Sequence, residues 1–199
     1  MTCTSDKSGI ASNEIFLNAL TSEFGPHYLL PEGGTNHEAA RGCEEILTFE
    51  DAHFNVICSS VGTGGTIAGI SNATHEKQLV LGFLALKGDS RLSAWQVLNQ
   101  DIRKFAMKKN WELISGYDFG GYAKINEDLV GFINAFKAET RIPLDPVYTG
   151  KMLFGILDMI RKDQFKPGTS ILAIHTGGLQ GVAGMNQKLK KKNLPLLEL

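Results

Sequence analysis

Hydrophobic and polar positions in this chain alternate between two periods. Short apolar runs at residues 28–30, 55–59, 79–85, 111–115 and 170–175 predict buried strands. Between them, apolar residues recur at helical spacing. Phe16, Leu17, Leu20 and Phe24 form one stripe, and Ala39, Ala40, Cys43, Ile46 and Leu47 form a second behind Asn36 as N-cap. Leu92, Trp95, Leu98, Ile102 and Phe105 follow Ser90, and Leu129, Val130, Ile133 and Phe136 follow Asn126. Met152, Leu153, Ile156, Met159 and Ile160 make a fifth stripe. Each stripe is expected to pack into a core. Strand and helix in alternation predict an α/β fold, a mostly parallel sheet with helices on both faces. Ligands of such sheets sit beyond the carboxyl ends of the strands, so the strand-to-helix turns are where chemistry is expected.

Composition narrows the picture further. With 199 residues, 43% of them hydrophobic, the chain can enclose a substantial core. Residues 1–11 are polar and aperiodic and predict an untethered segment, leaving 12–199 as one α/β domain. A net charge of −1 gives no overall field for nucleic acid or an anionic membrane. The basic run Lys188, Lys190, Lys191 and Lys192 reads as a solvated helix end. Three widely spaced cysteines (Cys3, Cys43, Cys58) indicate neither a disulfide framework nor a zinc site. No signal-like h-region or membrane-length apolar stretch is visible, so a soluble protein in a reducing, cytoplasmic setting is expected. The five histidines lack metal-ligand spacing, and no metal is expected; His175 reads as a satisfied strand-end residue.

The most informative turn is Gly62, Thr63, Gly64, Gly65 and Thr66, which follows an apolar run and opens a helical stripe. Its glycines allow a tight bend without side chains in a ligand's way. Amides at a helix N-terminus then face outward, where the partial positive charge attracts an anion. The hydroxyls of Thr63 and Thr66 add donors suited to a phosphate dianion. Neither a GxxxxGK[ST] loop nor a GxGxxG turn followed by an acidic residue is present, which disfavours nucleotides.

Five segments in order give a resemblance: Tyr28-Leu29-Leu30-Pro31-Glu32-Gly33-Gly34-Thr35-Asn36, the glycine turn, Phe119-Gly120-Gly121-Tyr122, Asp145-Pro146-Val147-Tyr148-Thr149-Gly150-Lys151, and His175-Thr176-Gly177-Gly178. Together they resemble the D-cysteine desulfhydrase and 1-aminocyclopropane-1-carboxylate deaminase family, covering roughly residues 12 to 185. The resemblance implies a tryptophan synthase β-like (fold type II) large-domain portion, pyridoxal 5'-phosphate as cofactor, a small amino-acid substrate and a possible homodimer. Tyr122 and Tyr148 match tyrosines that face the substrate; a phenol there can move protons only if its pKa, about 10, is brought down. The glycine turn would grip the cofactor phosphate, and Thr149 and Thr176 would approach the pyridine ring. Thr149 stands where the cyclopropane deaminases have glutamate. That departure leans the expected activity towards β-elimination from D-cysteine, a lyase reaction giving pyruvate, ammonia and sulfide. Lys151 reads as a surface or helix-end cation, and Asn36 as a helix cap.

The family's Schiff-base lysine and the Ser-Asn-His segment after it have no counterpart here; Lys7 lies in a polar stretch without the required glycines. The chain is therefore expected to lack about the first third of the family pattern and to have little or no activity alone. A non-catalytic phosphate- or cofactor-binding module is the alternative from another class. Within enzymes, 1-aminocyclopropane-1-carboxylate deaminase and cysteine synthase are the competing readings.

Overall fold

The structure, a computed structural model, describes residues 14–30, 32–87 and 93–198. The 1–11 segment with Cys3 and Lys7, together with Pro31, Ser90, Leu92 and the side chains of Glu32 and Trp95, lies outside the described residues. The chain divides into two compact units, Met1–Thr35 and Asn36–Leu199.

In the first unit the helical spacing yields α1 (Glu14–Phe24), but none of its residues is buried. Phe16 and Phe24 are exposed, contrary to the core packing expected of this stripe. A unit of this size has too little volume to enclose a core of its own. The strand expected at 28–30 does not form. It is three residues long, and the next residue, Pro31, has no N–H to continue a ladder.

The second unit is built on four parallel strands in the order β3-β2-β1-β4: β1 (Val56–Val61), β2 (Leu79–Leu84), β3 (Trp111–Ile114) and β4 (Ile171–Ala173). These correspond to four of the five expected strands. Side chains two apart share a face. Ile57, Val61, Val80 and Leu84 therefore form one core with Ile67 and Ile70 of α3 (Gly65–Ala73) and Ile102 of α4 (Ser93–Phe105). Val56, Cys58, Leu81 and Phe83 meet Met152, Ile156 and Met159 of α6 (Thr149–Arg161) on the other face. A third core joins α5 (Glu127–Thr140) to α7 (Val182–Lys191) through Leu129, Ile133, Met185 and Leu189, with Leu153 and Phe154 of α6 packed against it. The remaining helix, α2 (His37–Cys43), is capped by Asn36, whose Oδ1 accepts from Ala39 N at 2.7 Å. Asn126 caps α5 through Leu129 N at 3.0 Å. The Asn36 cap is as expected.

The sheet's buried strands are β1 and β2, whereas β4 lies at an edge, is half-buried and ends at Ala173, two residues short of the expected strand end. Among the described residues, no helix is long and apolar enough to cross a membrane. No group of three or more His, Cys, Asp or Glu residues there could hold a metal ion.

Candidate functional site

Because all four strands run parallel, the segments that leave them emerge on one side of the sheet. β1 passes directly into the 62–66 turn, with Gly62 following Val61. The bend closes through Gly64, whose φ of 92° is left-handed, and α3 begins at Gly65. As at any helix start, the first-turn amides of Gly65, Thr66 and Ile67 have no intrahelical acceptor, and Gly64 has no side chain to cap them. The first amide bonded back within the helix is that of Ala68, to Gly64 O at 3.1 Å. Glycine is required at 64 by space as well as by φ: an added Cβ would collide with Ile102 Cγ1 and lie 3.3 Å from Leu98 Cδ1. Gly65 is buried, Gly62 and Thr66 are half-buried, and Thr63 is exposed. The shape of the bend is dictated by the helix beneath it.

Tyr148 reaches this turn from the start of α6. Its hydroxyl lies 3.4 Å from where a Cβ on Gly62 would stand. Its ring meets that of Tyr122 edge-on, with centroids 6.1 Å apart. The structure thus brings together three of the expected features, although Tyr122 itself is 58% exposed. The phenol of Tyr148 does not follow the expectation of a lowered pKa. Burial first, then the hydrogen bond and charge of Tyr122 and the charge of Asp145, push it up to about 12. It is a proton donor across the ordinary pH range.

The start of α6 is organised by Asp145, a residue whose role the sequence reading missed. The side chain is 1% exposed. Oδ1 accepts from Val147 N and Tyr148 N at 2.8 Å each, and Oδ2 accepts from Thr149 N at 2.7 Å and from the Thr149 hydroxyl at 2.6 Å. The signal was present as an Asp four residues before a Thr with Pro between, a helix-start pattern. The Thr149 hydroxyl is committed in both directions, since it also accepts from Asp145 N at 3.0 Å. Fully buried and engaged with Asp145, it helps to hold the start of α6.

The loop after β4 packs against this carboxylate. A Cβ on Gly178, whose φ is 99°, would stand 3.0 Å from Asp145 Cγ. His175 accepts from Gly177 N through Nδ1 at 3.0 Å and donates through Nε2 to Pro143 O at 2.9 Å, which satisfies both ring nitrogens. Thr176 is exposed and stands three residues beyond the end of β4, in a loop and not at the end of a buried strand as expected.

Lys151 corrects the sequence reading most directly. It is no surface cation: the residue is 1% exposed. Its ammonium donates to Asp118 O and Gly121 O at 2.7 Å each, and to Ala85 O at 3.5 Å. Burial pulls its pKa down to about 8, opposed by the charges of Asp118 and Asp145. Between its folded value of about 8 and its unfolded value of 10.5, the unfolded chain binds the extra proton, so this group makes stability rise with pH. Cys58, pushed by burial from 9.0 to about 12, acts oppositely above pH 9. Tyr117, raised to about 12 by burial and its hydrogen bond to Asp158, and Tyr148 do so above pH 10. The urea midpoint is therefore expected to rise from pH 8 to 9 by the equivalent of about 1 kcal/mol, level off, and fall above 10. Lys151→Met should abolish the rise; an equal rise in that variant would refute the assignment.

No family model matches the chain. Comparison with individual proteins is more informative. The chain is 33% identical over 174 residues to the bifunctional D-cysteine desulfhydrase/1-aminocyclopropane-1-carboxylate deaminase of Arabidopsis thaliana, covering 78% of this chain and 42% of that protein. It is 28% identical over 166 residues to D-cysteine desulfhydrase of Klebsiella pneumoniae, covering 76% of this chain and 50% of that protein. A solved homologue of 1-aminocyclopropane-1-carboxylate deaminase superposes with a TM-score of 0.73 at 27% identity, over 96% of this chain and 61% of its own. The chain spans about half the length of these curated relatives. Sequence and fold agree with the resemblance carried by the five motifs: the chain is a relative of the D-cysteine desulfhydrase and 1-aminocyclopropane-1-carboxylate deaminase proteins, with the tryptophan synthase β-like fold.

Proposed function

We infer that this chain is the phosphate-gripping, tyrosine-bearing portion of a pyridoxal 5'-phosphate-dependent amino-acid lyase. The observation that supports this best is the 62–66 turn, where three first-turn amides lack intrahelical partners at a bend that admits no side chain at Gly64. A phosphate dianion suits that donor set, because backbone N–H groups and the helix N-terminus both favour negative charge. The amides of Gly65, Thr66 and Ile67 would hold the phosphate, with the Thr66 hydroxyl beside them. Thr176 is the proposed partner of the ring nitrogen, a neutral one. When bound, pyridoxal phosphate supplies the electron sink that acidifies the substrate's α-carbon.

The chain's own groups then define the rest. Tyr148, protonated up to about pH 12, offers a hydrogen bond to the departing sulfur without giving up its proton, and the ring of Tyr122 stands edge-on beside it. The reaction that fits is β-elimination from D-cysteine: the Cα–H and Cβ–S bonds break, the α-proton and the hydrosulfide leave as hydrogen sulfide, and one water completes the release of pyruvate and ammonia. A neutral Thr149 held by Asp145, where a glutamate would be needed to keep the ring nitrogen protonated, weighs against opening of a cyclopropane ring.

Equilibrium dialysis with pyridoxal phosphate, followed by borohydride reduction and mass spectrometry, tests this reading. Uptake that inorganic phosphate displaces, with no lysine-linked adduct, is expected. A reduced adduct on one of this chain's lysines would replace the proposed division of labour. No uptake at all would remove the cofactor assignment.

A further inference from the structure

We propose that Lys151 is a positioning residue whose buried ammonium fixes the 118–123 loop and so sets Tyr122 against Tyr148. The proposal rests on the reading above only for what the tyrosine pair does. Its geometry is independent of any bound group.

The loop runs through four residues of left-handed backbone. Phe119 and Ala123 both have φ of 53°, and Gly120 and Gly121 have φ of 96° and 118°. Left-handed backbone is strained for a non-glycine residue, and two such residues, Phe119 and Ala123, lie here with two glycines. Local bonds close two successive tight turns: Gly121 N donates to Asp118 O at 3.0 Å, and Lys124 N donates to Gly121 O at 3.1 Å. Asp118 Oδ1 accepts from Gly120 N at 2.6 Å. The two carbonyls that receive those turn-closing amides, Asp118 O and Gly121 O, are the two that Lys151 binds at 2.7 Å. A single ammonium therefore clasps both turns at their closing points, and its longer third bond, to Ala85 O, ties them to the end of β2. Tyr122 is the next residue along.

The placement is unfavourable for a lysine in every other respect. It is buried, and it is the third residue of α6, where the helix's partial charge is positive. Neighbouring elements set the other side of the arrangement. A Cβ on Gly150 would crowd Asp145 O and Ile133 Cδ1, each 2.7 Å away, so α6 starts at a fixed depth and the Lys151 side chain emerges from a fixed point. The same short stretch thus carries Tyr148 and the group that holds its partner in place.

The test uses the chain with 13C-labelled tyrosine rings. At pH 7, ring cross-peaks between Tyr122 and Tyr148 are expected in the unsubstituted chain and absent in Lys151→Met. Amide exchange at Gly121 and Lys124 should rise about tenfold in that variant, while amides of β1 and α3 keep their protection. In Lys151→Ala, folded in the presence of n-propylammonium, which replaces the deleted atoms, cross-peaks and protection should appear, and they should be lost on dialysis. Cross-peaks and protection unchanged in Lys151→Met would overturn the proposal. So would exchange rising equally through β1, α3 and the loop, or failure of the amine to restore anything in Lys151→Ala, because the lysine would then be a packing residue. None of these readouts needs a ligand. A failure of the 62–66 turn to bind phosphate is thus distinguishable from a failure of this inference.

Discussion

Asp145→Ala is expected to destabilise the fold by about 3 kcal/mol or more, read as a fall in the urea midpoint at neutral pH. The size follows from the number of donors stranded. Three backbone amides and the Thr149 hydroxyl all end on this one carboxylate. An unmet buried donor costs about 1–3 kcal/mol, and a lost helix cap alone costs about 1. Asp145→Asn keeps one carboxamide oxygen and turns the other acceptor into a donor, so roughly half of the loss is expected there. A change below about 1 kcal/mol in Asp145→Ala would show that the α6 start is held by something else. The same substitution frees the amide of Tyr148, so the contact between that ring and Gly62 should loosen with it.

Gly64→Ala carries the second large effect, and it joins stability to binding. The left-handed φ of 92° strains any side chain, at about 1–2 kcal/mol. The added methyl also collides with Ile102 Cγ1, in a fully buried side chain of α4 that has little room to retreat. Overpacking of this kind adds about 1–3 kcal/mol, so a total near 3 is expected. Affinity for pyridoxal phosphate should fall about tenfold or more, since relief of the clash moves the amides of the bend. Gly62→Ala is the comparison. Its Cβ would make an ordinary contact at 3.4 Å with the Tyr148 hydroxyl, and little loss of stability is expected. Equal destabilisation by the two substitutions would contradict the account of the bend.

The features legible in the sequence are those that depend on near neighbours. Asn36 could be read as a cap because a cap and its amide are three residues apart. The 62–66 turn was legible because three glycines between an apolar run and a helical stripe leave few alternatives. Lys151 was misread for the opposite reason. A lysine at a helix start is normally solvated, and the carbonyls that receive it lie 30, 33 and 66 residues away along the chain. Only the folded topology brings Ala85, Asp118 and Gly121 to one point. Thr149 has a local partner that the motif match did not reveal, Asp145 four residues earlier. The run at 28–30 had strand-like composition, and its short length and the proline after it decided against a ladder.

The central claim is that the bend after β1 presents bare amides to a phosphate dianion. A titration of the 15N-labelled chain with pyridoxal phosphate, and in parallel with pyridoxal, measures it directly. The account predicts the largest amide shifts at Gly65, Thr66 and Ile67 with the phosphorylated compound, and none there with pyridoxal. Shifts confined to other parts of the chain, or equal binding of the two compounds, would contradict it.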